Sequence, residues 1–305
     1  MTADLTTASN RDRLRATLRD ERVRPWLLLT PTLAVVGVLF GGALVNAAMR
    51  SVRPVRGADA TGPTLDAYRS LLADPELPRS LLLTLYLATT STLVAVVVGI
   101  GAALLLRRAA GRSRAVAAVF QLPLPIPHVV GALAVLALLG QSGLLSRVAG
   151  ATGVIDEAAS FPSLVFDPWA IGILVEYAWK EVPFIGIVAL AILRSSRVQD
   201  HEAAARSLGA GTVQRLRHVT LPLVLPGVLA AAAIVFAFTF GAFEVPLLLG
   251  RSFPEALPVL AYRRHVDVDL ASGPEALALS LLMALVAFAC VAVAMILARR
   301  RVRVG

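Results

Sequence analysis

Lysine and cysteine are nearly missing from this sequence. Of 29 basic residues in 305, all but Lys180 are arginine. The phosphate-cradling loop of nucleotide hydrolases needs Lys after Gly, with Ser or Thr next. Lys180 stands between Trp179 and Glu181, so the chain has no ATP site, and any hydrolysis that powers it belongs to another chain. Cys290 has no second cysteine to pair with, which excludes an internal disulfide; inside an apolar block it reads as a small buried hydrophobe. The four histidines, His128, His201, His218 and His265, are scattered without the spacing of a metal site. No nucleophile–base constellation is present. No metal, no catalytic residue and no enzymatic activity is therefore expected. Charged residues make up only 16%, against about 25% in soluble domains.

What fills the space is apolar. Hydrophobic residues reach 57% and the mean hydropathy is +0.75. They come in blocks of roughly 20 residues or more, the length a helix needs to cross a hydrocarbon core. Barrel strands would instead alternate in runs of about 10. The fold class is all-α, a polytopic membrane helix bundle. Six spans are expected, at Trp26–Ala48, Leu81–Leu106, Val116–Leu139, Ala170–Leu193, Leu223–Leu249 and Ala276–Leu297. The first exceeds a signal-peptide core in length and reads as an uncleaved anchor. The domain reading is an Arg-rich N-terminus over residues 1–25, a six-span membrane domain over 26–298 and a tail over 299–305. The stretch Arg11–Arg24 carries topogenic charge with some helix. Arginine sets the orientation: 19 fall on the side of the termini and 9 on the other. This bias places both termini in the cytoplasm. The net charge of +9 is thus topological, and no nucleic-acid partner is implied. Among the outer loops, Thr64 is expected to cap a short amphipathic helix, "LDAYRSLL".

One polar segment interrupts the apolar blocks on the cytoplasmic side: "DHEAAARSLGAGTVQRLRHVTLPLVLPG", from Asp200 to Gly227. Asp200 is expected to cap a helix from about His201, and Gly209 and Gly211 to end it. "TVQRLRHV" restarts helical spacing, and Pro222 and Pro226 mark the entry to the fifth span. The expectation is helix, tight turn, helix over residues 198–222. Ala203, Ala204 and Ala205 bury little themselves but let another surface approach closely. Such an Ala-rich helix is a poor lipid anchor, which favours a protein partner.

Here the sequence resembles the permease subunits of type I ABC importers, the binding-protein-dependent transport family. Their cytoplasmic loop reads Glu-Ala-Ala, three residues, Gly, then Leu-Pro. In this chain Pro222 follows Gly209 by 13 residues and is preceded by Leu221. The family's acid position holds Ala203, and Glu202 lies one residue earlier, about 100° around a helix. "TLYLATTSTLVAVVVGIGAALLLRR", "LPLPIPHVVGALAVLALLGQSGLLSR" and "WKEVPFIGIVALAIL" are similar to the family's core spans. The region from "FEVPLLLGRSFPEALPVLAYRR" onward resembles the polyamine, iron and thiamine branch. The resemblance implies a permease that transports by alternating access in a bacterial plasma membrane. It implies partners: cytoplasmic ATP-binding subunits holding ATP and Mg, a second permease, and an extracytoplasmic substrate-binding protein. No cofactor sits on this chain. Glu202, Ala203, Ala204, Ala205, Arg206, Gly209, Leu221 and Pro222 are the expected ATPase-docking loop. A polyamine of the spermidine or putrescine kind, or another small solute, is the implied cargo. The rival is an ion-gradient-driven secondary transporter, which would have about twice the spans or an inverted repeat.

Charges inside the spans are the second set of candidates. Glu176 and Lys180 stand at i, i+4 and are expected to pair along their helix. Glu244 and Glu181 are candidates for the translocation path, where an acidic lining would suit a cation. Pro125 and Pro127 in "QLPLPIPH" join them, because proline at membrane depth frees backbone carbonyls: either the third span starts after Pro127, or a kink there faces the pathway.

Overall fold

A computed structural model describes residues 24–53, 62–109, 114–269 and 272–304. Every regular element among them is helical. The described residues begin with α1 (Arg24–Val36) and α2 (Gly42–Ser51), joined by a π-turn at Gly37–Gly41. A short α3 (Asp66–Ala73) leads into α4 (Glu76–Ala109), the longest helix at 34 residues. Next come α5 (Arg114–Gln121), α6 (His128–Leu139), α7 (Leu144–Ala151) and α8 (Ile171–Leu193). The polar segment forms α9 (Ser196–Ser207) and α10 (Thr212–Arg215), and a π-turn at Leu216–Thr220 feeds α11 (Leu221–Gly241). Three more helices complete the chain: α12 (Glu244–Leu249), α13 (Leu257–His265) and α14 (Ser272–Val304). Residues 1–23, which include most of the Arg-rich N-terminus, lie outside the described residues.

Among the described residues five helical segments are long and apolar enough to cross a membrane: Leu28–Ser51, Glu76–Arg108, His128–Ala151, Thr212–Gly241 and Ser272–Ile296. Their outward faces are greasy, as lipid requires; Leu28, Val38 and Phe40 of the first are each about two-thirds exposed or more. The helix α8 also has spanning length, with 23 residues, but carries Glu176, Lys180 and Glu181. All three are buried, so its charges face protein.

The centre of the molecule is α4 against α8, the most extensive pairing in the bundle. In lipid the hydrophobic effect does not drive helices together, so small residues that permit close packing take over. Gly99 and Gly186 supply the contact. A methyl on Gly99 would stand 3.0 Å from Ile185 Cβ and 3.1 Å from the Gly186 nitrogen, and one on Gly186 would meet Phe120 at 2.6 Å. Ala95, Ala103 and Ala189 are fully buried along the same seam.

Three expectations about boundaries change. The third apolar block does not run unbroken from Val116 to Leu139. Helix stops at Gln121 and restarts at His128, because Pro123, Pro125 and Pro127 cannot donate to a helical ladder. The fifth begins earlier than Leu223, since α10, the π-turn and α11 form one continuous rod from Thr212. It also breaks at Ala242 and Phe243, and α12 resumes at Glu244. The outer helix α3 forms where expected, but Leu65 rather than Thr64 is its cap residue; Thr64 lies one position earlier, and its Oγ1 accepts from the Asp66 amide at 3.2 Å.

Contacts mark two ends of the bundle. At one, Ser51 Oγ bonds the Tyr68 hydroxyl at 2.8 Å, tying α2 to α3, and Arg264 of α13 bridges Asp74 and Glu275. The α9–α10 segment lies at the other, against the last turn of α4.

Candidate functional site

The polar segment folds as helix, turn, helix. Its first helix starts at Ser196, with Ser195 extended before it, so Asp200 sits within α9 and is exposed rather than capping it. The Ser195 hydroxyl instead donates to the Ile192 carbonyl at 2.7 Å. At the C-terminus, Gly209 adopts φ +84°, the left-handed conformation a side chain resists. The Gly209 amide donates to the Arg206 carbonyl at 3.0 Å and the Ala210 amide to the Ala205 carbonyl at 3.0 Å. Arg215 then reaches back to the Ala210 carbonyl at 2.7 Å and closes the turn. Leu221 and Pro222 open α11 directly after the π-turn. Proline has no N–H for the carbonyl four residues back, and a wider turn at this spot absorbs the lost bond.

The segment has two faces. Ala203, Ala204 and Arg206 are exposed, and at the tip Leu208 and Val213 are 87% and 77% exposed. The tip is thus apolar, with small alanines beside it, while Asp200, His201, Arg206 and Gln214 make the rest of the exposed surface polar. Ala205 and Glu202 are half-buried on the other side. Glu202 is gripped from within the chain: Arg107 Nη1 and Nη2 donate to its two oxygens at 2.9 and 2.7 Å. The Thr220 hydroxyl donates to Oε1 at 2.5 Å. The Arg107 hydrogen bonds hold the Glu202 carboxyl below the usual carboxylate range. Burial opposes this, while the Thr220 bond and the Arg107 and Arg215 charges reinforce it. The displaced acid therefore points to the end of α4, not outward. Sequence reading assigned Arg107 only to membrane orientation, and Thr220 to no role.

The second set of candidates divides. Glu176 and Lys180 do not pair with each other. Lys180 Nζ donates to the carbonyls of Pro123 at 2.8 Å and Leu124 at 3.3 Å, and also to that of Ile126. Acceptors freed by the proline break outcompete the carboxylate one turn away. The fully buried Glu176 bonds His128 Nδ1 at 3.1 Å, and Glu181 stands 4.0 Å from His128 Nε2. Gly131 makes the room, since a methyl there would come within 2.7 Å of Glu176 Oε1. Tyr177, whose buried hydroxyl has no hydrogen-bond partner among the described residues, and Phe238 flank the imidazole. Of the four pathway candidates, Glu181 lies in this cluster. Pro125, Pro127 and Glu244 are exposed, with Glu244 in the first turn of α12. Among the described residues no group of three or more His, Cys, Asp or Glu side chains could hold a metal ion.

Long apolar helices around one charged inner helix, with a polar helical hairpin at one end, define a polytopic membrane protein of the transporter class. The chain belongs to the family of binding-protein-dependent transport system inner membrane components, whose profile matches residues 95–303. It is the permease component of a type I ABC importer. It is 32% identical over 225 residues to the molybdenum transport system permease protein ModB of Mycobacterium bovis, covering 72% of this chain and 79% of that protein. A probable molybdenum ABC transporter permease protein of Haloferax volcanii is 35% identical over 194 residues, 63% of this chain and 66% of that one. The thiamine transport system permease protein ThiP of Brucella abortus is 30% identical over 268 residues; the alignment takes in 83% of this chain but 45% of ThiP. A bacterial ABC transporter that imports the acidic polysaccharide alginate shares the fold, with TM-score 0.75, 23% identity, and 94% and 99% of the two chains covered. Polyamine as cargo is not supported, because these relatives are named for molybdenum and thiamine. Its structural argument also weakens, since Glu181 is turned to His128.

Proposed function

We propose that this chain crosses a bacterial cytoplasmic membrane six times, with both termini inside, and forms the pathway of an ATP-driven importer for molybdenum as an oxyanion. The sixth crossing is α8, whose three charges face inward and so do not oppose a membrane position. A second permease, a copy or a paralogue, completes the pathway, and an external binding protein delivers the solute. ATP and Mg belong to a separate ATPase that docks on the outer face of α9 and α10. Closure of that ATPase moves the hairpin and turns the bundle from inward- to outward-facing.

The observation that carries this reading is the hairpin itself. A left-handed Gly209 sets two helices back to back, with Leu208 and Val213 exposed at the tip and alanines beside them. A projection with an apolar tip and small side chains beside it, at the arginine-rich end, suits insertion into a groove of another protein. The cargo rests on the identity of 32% and 35% to the molybdenum permeases. Thiamine is the second reading, supported by 30% identity over a longer alignment. Proteoliposomes holding the chain with its cognate ATPase, second permease and binding protein decide. Uptake of labelled molybdate that needs ATP, and that thiamine and spermidine do not compete, is the expected result. ATP-dependent thiamine uptake instead would overturn the cargo, and failure of any ATPase to co-purify would overturn the importer mechanism.

A further inference from the structure

Glu202 and its two partners come from three different elements. Glu202 itself is on α9, Arg107 closes the last turns of α4, and Thr220 ends the π-turn before α11. Arg107 and Glu202 are 95 residues apart in the chain and meet through both guanidinium nitrogens and both carboxylate oxygens. The side chains are only 25% and 15% exposed. A fork-to-fork pair of this kind fixes orientation as well as distance. With Thr220 on Oε1 as well, the carboxylate has little capacity left for an outside donor. The residue on the exposed face beside it is Ala203, which has no polar atom to offer.

We propose that Glu202, Arg107 and Thr220 form an internal clasp that makes the hairpin, α4 and α11 move as one body. Glu202 is then a positioning residue for transport and is not a contact offered to the ATPase. The clasp rests on the coupling role assigned above. Force applied to the hairpin tip by a docked ATPase reaches α11 through the continuous rod from Thr212. The clasp gives it a second route, into α4 and so into the α4–α8 seam at the centre of the bundle. Without it, α9 is joined to the bundle through its own chain ends and neighbouring packing, and the ATPase moves the hairpin with less effect on the spans.

Two measurements test this. In the full chain alone in lipid nanodiscs, hydrogen exchange across residues 196–207 should rise about tenfold in Glu202→Ala and in Arg107→Ala. The charge-swapped double variant, Arg107→Glu with Glu202→Arg, should restore most of the protection. In the assembled importer both single variants should retain the ATPase at wild-type stoichiometry while solute moved per ATP hydrolysed falls about tenfold. Glu202→Asp should recover part of it. The clasp is overturned if Glu202→Ala loses the ATPase while Arg107→Ala keeps it, which would mark an outward contact. Unchanged exchange in both single variants overturns it as well. If the wild-type chain itself retains no ATPase, the coupling role fails, and the exchange measurement still judges the clasp.

Discussion

Lys180 shows how one side chain is placed by chemistry far away in sequence. An ammonium is a compact charge with three rotatable donors, and three carbonyls around the proline break receive them. A planar guanidinium would not match this site, which gives a physical reason for the one lysine among so many arginines. Removing it leaves buried carbonyls unpaired and Glu176 and Glu181 less compensated, at about 1–3 kcal/mol for each unsatisfied group. Lys180→Met should therefore lower the apparent melting temperature in detergent by several degrees, and Lys180→Arg should not rescue it. Glu202 supplies a pH prediction. Its folded-state carboxyl is held below the ordinary range, so its contribution is complete above the unfolded value, about 4.3, and disappears as pH falls through the lowered one. Exchange protection of the hairpin, corrected for intrinsic rates, should be flat from neutral pH down to the ordinary carboxylate range and decline below it. Glu202→Gln should abolish that acid dependence.

At the scale of elements, two glycines make claims that differ in kind. Gly209 is needed for its backbone, with open space around it and φ +84°. Gly209→Val forces a β-branched residue into the left-handed region at about 1–2 kcal/mol. The outcome should be a hairpin that still reaches the membrane but docks its partner poorly, measured as lost ATPase in co-purification with chain expression unchanged. Gly186 is needed for its lack of volume, between Phe120 and the Gly99 carbonyl. Gly186→Leu would wedge α4 from α8, an overpacking that typically costs about 1–3 kcal/mol. Here expression as a monodisperse species should itself fall, as read by fluorescence-detected size exclusion. The broken helices belong to the same scale. Three prolines made the gap between α5 and α6 legible in sequence. The break at Ala242 and Phe243 has a similar cause, since Pro246 cannot donate to the Ala242 carbonyl four residues back, but it was not foreseen.

For the whole molecule the question is which end faces which compartment. The arginine count and the two ends of the bundle make one joint prediction, and the single native cysteine makes it easy to test. In a Cys290→Ser background, a cysteine at Leu208, 87% exposed on the hairpin, should react with a membrane-impermeant maleimide only after cells are permeabilised. A cysteine at Leu72, 76% exposed on α3, should react in intact cells. The reverse pattern would invert the topology and remove the hairpin from any cytoplasmic ATPase. The apolar outer faces of the first and last long helices also fit a chain that meets lipid on one side.

Class and family were legible because their signals are local or compositional. Apolar runs of spanning length, an arginine bias, Gly209 with Pro222 at fixed spacing, and prolines that cannot sit in a helix all act within a few turns of chain. Only the tertiary structure decided what the charged residues do. Glu202 meets Arg107 across 95 residues and Lys180 meets Pro123 across 57. The helical spacing of Glu176 and Lys180 pointed to a pair that does not form. In lipid a buried charge takes whichever partner the fold delivers with the best geometry, and helix packing, not spacing along one helix, determines that partner.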